Sequence, residues 1–239
     1  MYRSPTPWKI RNSLPLVKVS ARLCTLVLLL LSAFSSLAAN TVPTKDQSSR
    51  QILVLGDSLS AAYQLDKDQG WVTLLENKLK SEGYLVDINN ASVSGLTIAG
   101  GEQILFAHIE SAQKPELIII ELGANDGLQG RPIPYIQQSL TRLVKQAKNS
   151  GADVLLLGIQ LPPNRGKRYT EPFFGLYEKI ATSEKAMLMP FLLEGVAGNS
   201  ELMKKDGLHP NAEGQKHVLN NIYPLISKWL KQQDKQRSK

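Results

Sequence analysis

The sequence predicts an α/β protein, a three-layer α/β/α sandwich around a parallel sheet of flavodoxin-like strand order, and three observations carry that prediction. Short all-apolar runs, Ile52–Leu55, Leu117–Ile120 and Val154–Leu157, read as strands buried on both faces, the mark of a parallel sheet. Between them lie longer segments whose apolar residues recur at helical spacing. The right-handed crossover rule then leaves few strand orders for such an alternation.

Residues 1–38 stand outside this pattern. Arg3, Lys9, Arg11, Lys18 and Arg22 make a basic leader without an acid, the run Leu23–Phe34 is mostly apolar, and Ser36-Leu37-Ala38 supplies small residues at a cleavage site. These are the three parts of a secretory signal peptide, and the run falls short of the ~20 apolar residues of a membrane span. The expectation is export, to the periplasm or beyond, with cleavage after Ala38. Arg22, two residues before Cys24, argues against a lipoprotein attachment site.

Removing the leader changes the bulk properties. The chain has 28 Lys and Arg against 21 Asp and Glu, a net +7. Five of the bases fall in the leader, so 23 bases and 21 acids remain, a net +2. That near-balance gives no argument for nucleic-acid binding. Cys24 is the only cysteine, which excludes disulfides, a covalent dimer, a thiol nucleophile and a cysteine-based metal site from the mature chain. About 200 residues suffice for one domain with a full core.

The elements follow in order. Residues 39–50 read as a flexible lead-in, and 51–231 as the domain. The strand 52–55 ends in Gly56-Asp57-Ser58, a turn sequence. Trp71–Glu82 carries Trp71, Leu74, Leu75 and Leu79 at helical spacing and stops at Gly83. Tyr84–Ile88 is a short strand and Ile98–Ala112 a helix. Leu117–Ile120 enters through Pro115 and leaves through Gly123-Ala124-Asn125-Asp126, before a helix over Pro132–Asn149. After the strand 154–157, Leu161–Thr170 reads as a loop, Phe173–Lys185 as a helix and Met187–Met189 as a last strand. Asn211–Lys231 is a closing helix that Pro224 should kink or split. Residues 232–239 read as a solvated tail.

Four polar blocks fall just after strands, at the carboxyl edge where open α/β sheets bind ligands. Ser58 is a nucleophile candidate there, although Gly-Asp-Ser alone is an ordinary turn. Asp206-Gly207-Leu208-His209-Pro210 is the most informative block, because a serine base needs an imidazole held by a carboxylate. Taken alone, the same block also fits an Asp helix cap beside a surface His. His108 and His217 lie within helices, with no acid on a strand-end loop to orient them. Gly95 fits either a turn or the close approach of an N–H to an oxyanion. Asn125 fits either a helix cap or an amide donor to that oxyanion.

Together Gly56-Asp57-Ser58-Leu59, the Gly95 block, Gly123-Ala124-Asn125-Asp126 and Asp206-Gly207-Leu208-His209-Pro210 resemble the GDSL, or SGNH, hydrolase family, named for its Ser, Gly, Asn and His. The finer wording, including Leu161-Pro162-Pro163-Asn164-Arg165-Gly166-Lys167-Arg168-Tyr169, is similar to the bacterial periplasmic thioesterase I, protease I and lysophospholipase type. Ala124 departs from the second Gly that relatives often carry. The resemblance implies Ser58 as nucleophile, His209 as base and Asp206 as its orienter, with oxyanion donors from Ser58 N–H, Gly95 N–H and Asn125. It implies an exported, cofactor-free serine hydrolase of acyl esters and thioesters, acting on lysophospholipids, fatty acyl esters or acyl thioesters.

The expected partners are a small-molecule acyl substrate and, transiently, a membrane surface; no nucleic acid is expected, and the chain is taken as a monomer. Acetylated sugars are the alternative substrate, and a binding protein that lost catalysis is the alternative class. No Gly-x-Ser-x-Gly elbow, His-Glu-x-x-His site or phosphate-binding glycine loop is present. Leu161 and Pro162 are the expected substrate-binding residues, at the base of a groove for the acyl chain. Tyr169, Phe173, Phe174 and Tyr177 beyond them suit that groove and core packing alike.

Overall fold

The computed structural model describes residues 48–111 and 114–237; the expected leader and most of the lead-in lie outside the described residues. Five strands form one parallel sheet: β1 (Arg50–Gly56), β2 (Val86–Asn90), β3 (Leu117–Glu121), β4 (Asp153–Leu157) and β5 (Met187–Met189). Their order is β2-β1-β3-β4-β5, the flavodoxin-like arrangement. Helices α1 (Trp71–Ser81), α2 (Ile98–Ile109), α3 (Ala124–Leu128), α4 (Ile133–Asn149), α5 (Lys167–Glu184) and α6 (Ala212–Arg237) complete the domain, with short 3₁₀ turns at Lys67–Gln69 and Pro163–Arg165.

The two-residue period of the strands makes the three layers. Ile52, Val54, Leu117, Ile119, Leu155 and Leu157 face one side and pack with Trp71 and Leu75 of α1 and Ile222, Ile226 and Trp229 of α6. Leu53, Leu55, Ile118, Ile120, Val154 and Leu156 face the other and meet α2, α4 and α5 through Leu105, Leu140 and Ile180. Each such side chain contributes about 1.5–3 kcal/mol by leaving water. Central strands buried on both faces are the reason their sequences are apolar without alternation.

Several boundaries differ from the sequence reading. Lys167–Arg168 begin α5 rather than closing a loop: Gly166, at φ +81°, makes the turn that lets the helix start there. Pro224 does not split α6, which runs unbroken for 26 residues. Proline removes one backbone donor, and the buried Ile222, Ile226, Trp229 and Leu230 on either side hold the helix against the sheet regardless. The segment 232–237 is the last turn and a half of that helix, not a free tail. Its Asp234 and Arg237 pair with Arg50 and Glu116, which tie the start of β1 to the end of the chain. Arg50 is therefore a buried strand residue and not part of the lead-in. Among the described residues, no helix is long and apolar enough to cross a membrane.

Candidate active site

Ser58 is presented by the turn that ends β1. Gly56 pairs in register with Glu121 of β3, and a Cβ on it would come within 2.8 Å of both Glu121 Oε2 and Ser60 Oγ. Only glycine leaves room for that carboxyl to reach under the turn. Glu121 Oε2 accepts the Asp57 N–H at 3.1 Å and the Ser60 hydroxyl at 2.9 Å, while Asp57 Oδ1 accepts the Leu59 N–H at 3.1 Å. Asn90 Nδ2 donates to Ser60 O at 2.9 Å and braces the far side. Ser58 itself does not take a positive φ; the left-handed non-glycine residues of this turn are Ala62 and Gln64.

The loop before α6 brings His209 to Ser58. Its Nε2 lies 2.8 Å from Ser58 Oγ, and its Nδ1 lies 2.8 Å from Asp206 Oδ2. Asp206 Oδ1 also accepts the Leu208 and His209 N–H groups at 2.9 and 3.0 Å, a turn closed through Gly207 at φ +67°. Desolvation pushes the Asp206 carboxyl up, but its bonds from the His209 ring and the two N–H groups outweigh that and hold it down at about 2. With a carboxylate on Nδ1, that nitrogen carries the ring proton, leaving Nε2 bare to accept from the serine hydroxyl.

The loop is braced on both sides. Lys204 N–H donates to His209 O at 2.8 Å, and its ammonium donates to the carbonyls of Tyr63 and Gln64. The Tyr63 ring lies against the imidazole, with centroids 4.6 Å apart. Asn211 Oδ1 accepts the Gly214 N–H at 2.9 Å and caps α6. Gly214 is required there, since a Cβ would come within 2.1 Å of Leu202 O.

Three residues with candidate donors border the same space. Ser58 N–H and Gly95 N–H make no hydrogen bond among the described residues, and both residues line the cleft beside Ser58 Oγ. Gly95 has φ +81° with open space around its α-carbon, so it is conformation, not crowding, that asks for glycine. Asn125 Nδ2 donates to Asp57 Oδ2 at 2.9 Å and to Leu96 O at 3.0 Å. Both amide hydrogens are thus engaged in the free site, and donation to an oxyanion means sharing or exchanging one of them. Asp126 next to it is turned away and accepts the Ile98 N–H that opens α2.

The cleft encloses about 290 Å³. Ser58, Gly95, Asn125, Leu161, Pro162 and His209 all line it. Its other walls include Leu208, from the block that carries His209, and Tyr63, Leu128 and Leu193, which are lone apolar residues on a loop or short helix that no local pattern marks. Of the four aromatics after Pro162, Phe173 and Tyr177 are core residues, the Tyr177 hydroxyl donating to Leu122 O at 3.0 Å. Phe174 packs edge-on against Phe191, and Tyr169 donates to Arg131 O. None of the four lines the cleft. His108 bonds Ile104 O and lies by a separate depression near the amino ends of β1 and β3; His217 is exposed on α6. Among the described residues, no cluster of three His, Cys, Asp or Glu is arranged to hold a metal.

Known proteins resemble this chain in sequence and fold. The model of the GDSL-like lipase/acylhydrolase family matches residues 54–217. The chain is 47% identical over 187 residues to esterase TesA of Pseudomonas aeruginosa, an alignment covering 78% of this chain and 92% of that protein. It is 36% identical over 205 residues to thioesterase 1/protease 1/lysophospholipase L1 of Escherichia coli K12, covering 86% and 88% of the two chains. The solved structure of the psychrotrophic esterase EstA from Pseudoalteromonas sp., inhibited by monoethylphosphonate, superposes with a TM-score of 0.72 at 42% identity, covering 77% of this chain and all of that one.

Proposed function

The chain belongs to the GDSL-like lipase/acylhydrolase family, and on that premise we propose that it is a serine hydrolase of acyl esters and thioesters, with Ser58 as nucleophile. The observation that carries the reading is the alignment of Ser58 Oγ, His209 and Asp206 through two contacts of 2.8 Å. Ser58 Oγ attacks the acyl carbonyl as His209 Nε2 takes its proton. Asp206, ionised throughout the neutral range, stabilises the imidazolium and fixes its orientation. The oxyanion forms in reach of Ser58 N–H, Gly95 N–H and the Asn125 amide. His209 returns the proton to the leaving alcohol or thiol, and water, activated by the same imidazole, releases the acid.

The cleft supports the substrate class proposed. Leu128, Leu161, Pro162 and Leu193 offer it an apolar wall, and each methylene buried there contributes about 0.8 kcal/mol. Beyond Pro162 the turn exposes Arg165, Lys167 and Arg168, beside Arg131, and none of the four is ion-paired among the described residues. A long acyl chain in the groove and an anionic head or leaving group at this basic tip suit the site, as in a lysophospholipid or an acyl thioester. The leader directs the enzyme out of the cytoplasm, and the mature chain works as a monomer at membrane surfaces.

The test is hydrolysis of p-nitrophenyl esters and acyl thioesters of graded length, with mass spectrometry after fluorophosphonate labelling. Labelling of Ser58 and a preference for long chains support the reading; an unlabelled protein without turnover is a binding protein, and acetate-only turnover is a sugar esterase. Exchanging Leu161 and Pro162 in sequence should lower kcat/KM for long chains relative to short ones while short-chain kcat holds. An unchanged length profile would put the acyl groove elsewhere.

A further inference from the structure

The reaction as described leaves one buried acid without a task, Glu121 at the end of β3. We propose that Glu121 is a positioning residue that holds one proton in common with Asp57, remaining neutral so that Asp57 stays a carboxylate and orients Asn125 at the oxyanion position. The inference rests on the reading of Asn125 as an oxyanion donor.

The two acids lie side by side in a dry place. Glu121 is 0% exposed and Asp57 1%. No Lys or Arg pairs with either one among the described residues. Two full negative charges so placed, with Glu121 Oε2 already 3.1 Å from the Asp57 backbone nitrogen, are not both sustained away from water, so one proton stays with the pair. Its position follows from the hydrogen bonds. Asp57 is supplied as an anion, with Oδ1 accepting from Leu59 N–H and Oδ2 from Asn125 Nδ2. On Glu121 only Oε2 receives donors, and Oε1 is buried with none to offset a negative charge, so of the two acids Glu121 is the one to stay neutral.

The groups facing the pair agree. His209, from the loop before α6, favours charge on Asp57, more so once it becomes an imidazolium. Tyr177 from α5 brings a neutral phenol, and Asp126 from α3, itself beside Arg131, feels the same burial. Ser58 and Ser60 add hydroxyls only. Burial raises the Asp57 carboxyl to about 6, and burial beside the Asp57 charge raises Glu121 well above the carboxylate range. Loss of the proton from Glu121 at high pH would leave two anions facing each other in a dry site, displace the Asp57 carboxylate from the Asn125 amide and so make kcat fall on the alkaline side.

The experiment compares the wild type with Glu121→Gln, Glu121→Ala and Asp57→Asn by two readouts. Infrared spectra of protein labelled with ¹³C in the glutamate carboxyls should show a protonated carboxyl band at neutral pH that both Glu121 variants lack. In kinetics, Glu121→Ala and Asp57→Asn should lower kcat on the order of 10²-fold with KM little changed, as for a misplaced catalytic group. Gln, which keeps the acceptor oxygen and the neutral charge, should rescue most of that loss and abolish the alkaline fall in kcat. Absence of the band, or a Gln variant as damaged as Ala, or one with the wild-type alkaline limb, overturns the inference. Should Glu121→Ala not fold, the spectrum and the Gln variant still decide. A Ser58→Ala control that stays active would instead sink the hydrolase reading itself.

Discussion

Two carboxyl environments flank Ser58, and they handle charge in opposite ways. Asp206 sits on an exposed turn, surrounded by three donors, and is held ionised down to about pH 2. Asp57 sits under the serine, buried against Glu121, and is raised to about 6. In the proposed reaction the exposed acid works by bearing charge toward an imidazole that turns positive. The buried one works by holding an amide in place. The contrast shows that adjacency to the nucleophile does not define a carboxylate's task; its donors and its access to water do.

The largest effects should come from the exposed side. Ser58→Ala and His209→Ala should each lower kcat on the order of 10⁴–10⁶-fold, and the double variant little further, since the pair acts as a unit. Asp206→Ala should cost less, because it orients and stabilises without taking the proton. Steady-state kinetics read this directly, and a His108→Ala variant as damaged as His209→Ala would misassign the base. On the buried side the oxyanion donor should show a milder, cleaner signature. Asn125→Ala should reduce kcat by roughly 10²–10³-fold with a small change in KM, because the contact matters in the transition state. A rise in KM alone would make Asn125 a substrate-binding residue and erase the distinction between the two sides.

The smallest effect is on stability, and there the two acids should have opposite signs. Asp206 is depressed below its unfolded value near 4, so the stability it contributes is present above about pH 4 and lost as pH falls toward 2. Asp57 is raised, so its contribution is full below about pH 4 and lost as pH rises through about 6. The Asp57 effect amounts to at most about 3 kcal/mol, with each kcal/mol worth ~2–4 °C in Tm for a domain of this size. Thermal melts from pH 2 to 8 on the Ser58→Ala background should be flattened between 4 and 6 by Asp57→Asn and below 4 by Asp206→Asn. The same pH dependence in both variants would mean the two environments are alike after all.

The sequence carried the framework well, because central parallel strands must be apolar and their positions announce themselves. It also carried the residues that share one short segment, such as Asp206 and His209. What it hid depends on long-range packing. Tyr63 meets the imidazole across 146 residues of chain, and nothing local marks it. The start of α5 was hidden by polar, basic residues that read equally well as loop, and α6 outlasts Pro224 because its buried face outweighs one missing donor. Glu121 did leave a trace. An acid directly continuing Leu117–Ile120 breaks an otherwise apolar strand, and a buried charge there asks for a partner.

The closing helix has a consequence in time as well as in space. Ser58 and His209 are 151 residues apart, and the base reaches the serine on a loop anchored at its far side by α6. At synthesis rates of about 5–20 residues per second, the proposed nucleophile is made roughly 8–30 s before the residue proposed to activate it. Until the last segment docks, the growing chain displays a serine no more reactive than any other. The polypeptide is thus born dormant, and its chemistry is switched on by completion of the fold.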